Sequence, residues 1–277
     1  MLRHSFNNNW TFRKGTDGIF GLSGNQAVPV TLPHDAMILE QRDPSTPNSN
    51  ATGFYPGGVC TYEKKFSLPA ANQERDVYLE FESIYMNAVI SINGDVAAAR
   101  PCGYSPIRVK ANDHLRFDQE NVVKVIVRND AMPNSRWYTG SGIYRDTWLM
   151  SGNTLHIKPD GLKITTISAD AELALIEVAA EIENTGHTKR SAVLNLSITG
   201  KEAPLVVSDQ SPFTAFPGRS FVLRKRFALP NARLWDPEEP NLYICDAQIL
   251  EDQESIDQDS STFGIRTLSV DAVRGLR

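Results

Sequence analysis

The stretch Val77-Tyr78-Leu79-Glu80-Phe81-Glu82-Ser83-Ile84-Tyr85-Met86-Asn87-Ala88-Val89-Ile90-Ser91-Ile92-Asn93-Gly94 carries the local period of the whole chain. Val77, Leu79 and Phe81 fall on one side, and Tyr78, Glu80 and Glu82 on the other. A period of two marks a half-buried strand with its charged side toward water. Ala88 to Asn93 predicts a second strand. Asn93-Gly94 predicts the hairpin turn that ends it, because a type I′ turn needs φ > 0 at both central residues.

The same alternation continues on both sides of this stretch. Val123, Val125 and Val127 alternate with Lys124, Ile126 and Arg128. Further on, Ile176, Val178, Ala180 and Ile182 alternate with Glu177, Ala179, Glu181 and Glu183. Leu194, Leu196 and Ile198 form another inward set, followed by strands around Phe221, Leu223 and Phe227 and over Tyr243 to Leu250. Short strands at intervals of about ten residues predict all-β sandwiches. No stretch keeps a capped helical period, and no internal repeat is visible.

The chain has 277 residues, with 41% hydrophobic and 22% charged. That suits two domains of roughly 100–150 residues, each able to bury its own core. The turn clusters Ser151-Gly152-Asn153 and Pro159-Asp160-Gly161 bracket the boundary. The expected division is 1–157, 158–267, and a tail, 268–277, that begins as a strand. An unpaired apolar strand makes a poor terminus, so the tail is expected to lead into further chain.

The net charge is −5 and no Lys/Arg run stands out, which argues against nucleic acid. No apolar stretch is long enough to span a membrane. The polar start, Met1 to Trp10, lacks a signal core, so the expectation is a cytoplasmic protein or one whose leader has been removed. Cys60, Cys102 and Cys245 are odd in number and far apart, and read as three reduced, buried thiols. The five histidines are scattered singly. No metal site and no cofactor is expected.

Six stretches then fall into a recognisable order. They are Val30-Thr31-Leu32-Pro33-His34-Asp35; Phe81 to Ala88 with Ile92-Asn93-Gly94; Gly103-Tyr104-Ser105-Pro106; Pro133-Asn134-Ser135-Arg136-Trp137-Tyr138-Thr139-Gly140-Ser141-Gly142-Ile143-Tyr144-Arg145; Leu234-Trp235-Asp236-Pro237-Glu238-Glu239-Pro240-Asn241-Leu242-Tyr243; and Phe263-Gly264-Ile265-Arg266. Together they resemble the N-terminal part of family 2 glycoside hydrolases, over nearly the whole chain. The resemblance implies a jelly-roll, galactose-binding-like sandwich followed by an immunoglobulin-like sandwich. It also implies a catalytic TIM barrel, carrying the two glutamates of retaining hydrolysis, that lies outside this chain. Two positions depart from the family pattern. Ala36 stands where a Trp is common, and Gly58-Val59-Cys60-Thr61-Tyr62 lacks an expected aromatic.

The resemblance implies a β-galactosidase-like parent whose partners are a β-galactoside and its own barrel. Homo-oligomerisation is left open, and apolar surface facing the barrel is expected to promote self-association. A β-glucuronidase, a β-mannosidase or a stand-alone carbohydrate-binding module are the alternatives. No catalytic residue is assigned here. A retaining pair needs carboxyls about 5–5.5 Å apart, whereas Glu177 and Glu181 on one strand face stand about 13 Å apart. Three residues are assigned to substrate binding. Arg136 lies on the loop that the family places at the barrel mouth, and its planar guanidinium suits neighbouring sugar hydroxyls. Trp137 offers a stacking wall. Asp35 shapes the rim, alongside the simpler role of capping a turn. Arg145 reads as a loop anchor through a buried ion pair, and Trp235 as a core anchor of the second sandwich.

Overall fold

The computed structural model of the chain describes residues 1–15, 26–132, 134–170, 172–200 and 205–276. Pro133, at the head of the loop motif, and Arg277, at the end of the tail, lie outside the described residues. The chain divides into two compact units, Leu2–Ser151 and Gly152–Arg277, the second counted together with Met1. Among the described residues the regular structure is strand, with three single-turn 3-10 segments.

The first unit packs a six-stranded sheet on a four-stranded one. The larger runs Val28–Val30, Trp10–Lys14, Gly58–Ser67, Glu120–Asn129, Ala88–Ile92, Asp95–Arg100; the smaller runs Leu2–Ser5, Thr147–Gly152, Asp76–Phe81, Ile107–Lys110. The inward residues read from the sequence meet between the sheets. Val77, Leu79 and Phe81 are each 1% exposed, and Val123, Val125 and Val127 are fully buried beside Trp10, Tyr62 and Ile90. Asn93 and Gly94 both adopt positive φ, 54° and 96°, as the hairpin turn requires.

The second unit packs three strands on four: Leu155–Ala169, Leu173–Asn184 and Arg219–Pro230 against Leu205–Ala215, Arg190–Gly200, Tyr243–Glu251 and Glu254–Phe263. All pairings are antiparallel. This is an immunoglobulin-like sandwich. Its core holds Ile176, Val178, Ala180 and Ile182 from one sheet and Leu194, Leu196, Ile198, Cys245 and Ile249 from the other. Within the tail, Val270–Asp271 pairs with Gly275–Leu276.

Three sequence expectations are corrected. Cys60 and Cys245 are buried, but Cys102 is exposed in the turn before Gly103. Trp235 is half-buried and stands outside the core. It packs on Gly264, its N–H donates to the Ile265 carbonyl at 2.9 Å, and the Arg266 guanidinium lies 4.8 Å from its ring.

Glu80 is the third correction. Alternation puts it on the solvent face, yet it is 3% exposed. Arg108, on the neighbouring strand, and Arg3, on the edge strand, both donate to its carboxylate. Arg3 reaches it across Trp148, with the guanidinium 4.1 Å from the indole centroid, and also meets Glu82 at 3.2 Å. The side chains of one sheet face thus cover a charge that alternation alone would leave in water. Removing one member of such a cluster leaves the others uncompensated. Glu80→Gln is expected to destabilise the first unit by about 2–3 kcal/mol. Urea unfolding followed by tryptophan fluorescence checks this, and an unchanged midpoint would show that the two arginines are equally well solvated without it.

Candidate functional site

Three irregular segments of the first unit, around residues 34–36, 83–87 and 138–145, are stitched together by backbone hydrogen bonds. The His34 N–H donates to the Ile143 carbonyl and the Ala36 N–H to the Ser141 carbonyl, both at 2.8 Å. Tyr85 and Gly142 exchange a pair of bonds at 3.0 and 2.8 Å. Residues 141–143 therefore behave as a short strand laid between two loops. Gly142 sits at φ 101°, and a Cβ there would lie 3.0 Å from Cζ of the fully buried Tyr62 and still closer to its hydroxyl. Only glycine fits both the dihedral and the space.

Asp35 ties this frame to the loop above it. Its Oδ1 accepts from the Met37 N–H at 2.9 Å and the Ser141 N–H at 3.1 Å, and its Oδ2 accepts from the Tyr138 hydroxyl. The first bond is the turn cap that the Pro33-His34-Asp35 sequence suggests. The other two cross more than a hundred residues of chain. Burial, and then the Asp35 carboxylate, raise the Tyr138 phenol above its ordinary value, so it stays protonated and donating. The ring of Tyr138 packs 4.8 Å from that of Tyr55.

The arm that carries Arg136 is held from below. Buried Asn129 donates to the Gly140 carbonyl at 3.2 Å and accepts from Asn134 Nδ2 at 2.8 Å. Asn134 Oδ1 in turn accepts the Ser135 N–H at 2.8 Å, and Ser135 Oγ donates to the Trp137 carbonyl at 2.9 Å. Arg136 and Trp137 project from this braced turn. Arg136 is exposed and has no hydrogen bond or ion pair among the described residues, while Trp137 is 60% exposed. The structure brings Arg136 and Trp137 together on one turn, with Asp35 beneath it through Tyr138.

Arg145 corrects a further expectation. It is exposed, its guanidinium stands 5.7 Å from the Tyr144 ring, and no ion pair holds it among the described residues. The anchoring is done by Tyr144 instead, whose hydroxyl donates to the Gly103 carbonyl at 2.7 Å and lies 2.9 Å from Ser83 Oγ. Sequence reading missed Ser83, Asn129 and Tyr144. Their only signal is a polar or phenolic side chain where a strand runs into a loop. In the second unit, Glu177 accepts from Arg224 and Arg226 at 3.2 and 3.0 Å, and Glu181 from Lys158 at 2.8 Å. Among the described residues no group of three His, Cys, Asp or Glu side chains is placed to hold a metal ion. No described helix is long and apolar enough to cross a membrane.

Behind the frame, His34 Nδ1 lies 2.8 Å from the Tyr62 hydroxyl, and Cys60 is buried beside them. Burial pushes the Cys60 thiol up to about 12 and raises the Tyr62 phenol as well. Burial also lowers the His34 imidazole, with Asp35 pulling weakly the other way.

The architecture defines a tandem of a jelly-roll and an immunoglobulin-like sandwich, with a braced loop presenting arginine and tryptophan. Residues 155–266 match the family model described as glycosyl hydrolases family 2. The chain is 33% identical over 277 residues to the beta-galactosidase BoGH2A of Bacteroides ovatus, covering 99% of this chain and 32% of that protein. It is 27% identical over 229 residues to a beta-glucuronidase of Formosa agariphila, covering 76% of this chain and 23% of that one. A crystal structure of a glycosyl hydrolase family 2 member from Bacteroides cellulosilyticus superposes with a TM-score of 0.92 at 30% identity, over 100% of this chain and 37% of the other. The chain belongs to glycosyl hydrolase family 2. It spans about a third, or less, of the length of these curated relatives.

Two outcomes follow from the frame. Gly142→Ala is expected to cost about 3 kcal/mol or more, since it combines a positive-φ strain with a core clash. Denaturant unfolding measures it, and a loss below about 1 kcal/mol would mean that the loop relaxes away from Tyr62 freely. For His34 the folded value lies below the unfolded one, about 6.5. The unfolded chain therefore takes up the proton first as the pH falls. The contribution of neutral His34 is fully present above about pH 6.5 and is lost as the pH drops through the folded value. His34→Gln should flatten the stability profile of the first unit between about pH 7 and pH 5. A profile as steep as wild type would assign the slope to another group.

Proposed function

We propose that this chain is the non-catalytic front part of a retaining glycoside hydrolase acting on terminal β-galactosides. Residues 1–157 would be its sugar-binding sandwich, 158–267 the immunoglobulin-like sandwich, and 268–277 the lead into a barrel that carries the catalytic glutamates. In this reading Arg136 binds sugar hydroxyls at the barrel mouth, Trp137 forms a stacking wall, and Asp35 shapes the rim by holding Tyr138 and Ser141. The observation that carries the reading is the Arg136 guanidinium. It is exposed, lacks a partner among the described residues, and stands on a turn braced through Asn134 and Asn129. A rigid base with a free planar donor suits recognition of adjacent hydroxyls, because little ordering remains to be done on binding.

A β-glucuronidase is the second reading, favoured by the likeness to the Formosa agariphila enzyme. The carboxylate of a glucuronide calls for a cation, which Arg136 or a barrel residue would supply. In the full-length enzyme, Arg136→Ala is expected to raise KM about tenfold or more, with a smaller change in kcat. Nitrophenyl β-galactoside and nitrophenyl β-glucuronide, assayed side by side, separate the two readings. An unchanged KM on the preferred substrate would remove Arg136 from the site.

A further inference from the structure

Tyr104 is a large side chain beside Trp137 that the reading above leaves without a role. It is 55% exposed, next to a Trp137 that is 60% exposed. Its backbone is nonetheless fixed from three sides. The carbonyl of Gly103 accepts from both Ser83 Oγ and the Tyr144 hydroxyl. The Tyr85 ring lies flush on Gly103, where a Cβ would stand 2.8 Å from Cγ of that ring. The rings of Tyr85 and Tyr104 meet edge to face, 5.4 Å apart. Tyr85 is itself the residue whose backbone pairs with Gly142, so the turn carrying Tyr104 and the turn carrying Trp137 hang on one frame. The Trp137 side chain opposes the rise that burial and Tyr85 impose on the neighbouring Tyr104 phenol.

Two exposed aromatic side chains thus share one support. Arg136 precedes Trp137 in the chain, and its donors have no partner among the described residues. Apolar ring faces flanked by a planar donor match the two surfaces of a sugar, its C–H face and its hydroxyl edge. Two rings span more than one pyranose. We propose that Tyr104 extends the Trp137 wall into a two-ring platform that holds the second sugar ring of a β-linked disaccharide or longer saccharide. The proposal rests on the glycoside hydrolase reading above, and adds to it a preference for saccharides over glycosides with small aglycones.

The test compares kcat/KM of the full-length enzyme for lactose and for methyl β-galactoside, or for the corresponding glucuronide pair where that sugar is preferred. Tyr104→Ala should lower the value for the disaccharide about fivefold and leave the methyl glycoside within about twofold. Tyr104→Phe, which keeps the ring, should stay near wild type on both and controls for folding. Equal losses on the two substrates, or no loss on the disaccharide, would overturn the platform. Arg136→Ala, run in parallel, should affect both substrates alike. If it changes neither while Tyr104→Ala is selective, the role of Arg136 fails and the platform stands; if only Arg136→Ala acts, the platform falls alone.

Discussion

The paired backbone bonds between Gly142 and Tyr85, made directly over the Tyr62 hydroxyl, are the constraint from which the rest of the loop end follows. A loop of this length has many conformations, and each ordered residue costs roughly 1–2 kcal/mol of backbone entropy. Pairing residues 141–143 on both sides removes most of that freedom at one point. Asp35 can then reach Ser141 and Tyr138, and Asn129 can reach Gly140 and Asn134. The exposed residues at the top of the loop are braced by buried and half-buried groups below them.

Much of this was legible in the residues, and for a clear reason. Alternation reports burial on one face of a sheet, and Val77, Leu79, Phe81 and the Ile176–Ile182 set are buried as it predicts. Asn93-Gly94 worked because few dipeptides tolerate two positive φ values. The same logic failed for Glu80. Alternation assigns a face but says nothing about what covers it, and Arg3 arrives there from a strand that is distant in sequence. Trp235 misled for a related reason, since the size of a ring suggests burial while its position at a Pro-rich corner limits it.

The site was legible only in part. Arg136 and Trp137 could be picked out because a charged and an aromatic side chain beside glycines have no core to join. Their bracing could not be read, because Ser83, Asn129 and Tyr144 act through hydrogen bonds to carbonyls contributed by other loops. Arg145 shows the converse. Its charge suggested an ion pair, yet the phenol next to it holds the loop. A neutral donor to a carbonyl is a better brace here than a buried ion pair, since it anchors the chain without the desolvation cost of two charges.

Three buried or half-buried charged groups of the first unit tie separate segments together. Glu80 joins an edge strand to the sheet interior, Asp35 joins two loops, and Lys64 donates to the Phe6 and Asn8 carbonyls at 2.9 and 2.7 Å under the Phe6 ring. Burial lowers the Lys64 amine to about 8. Lys64 and Asp35 supply partners to backbone groups of the irregular segments, while Glu80 pairs with arginines of two other strands. Apolar packing fills the space between the sheets but cannot set the direction of a loop. Directional bonds do that: buried Ser83 and Asn129, with half-buried Asp35, Asn134 and Tyr144, brace the turns on which Arg136, Trp137 and Tyr104 stand exposed.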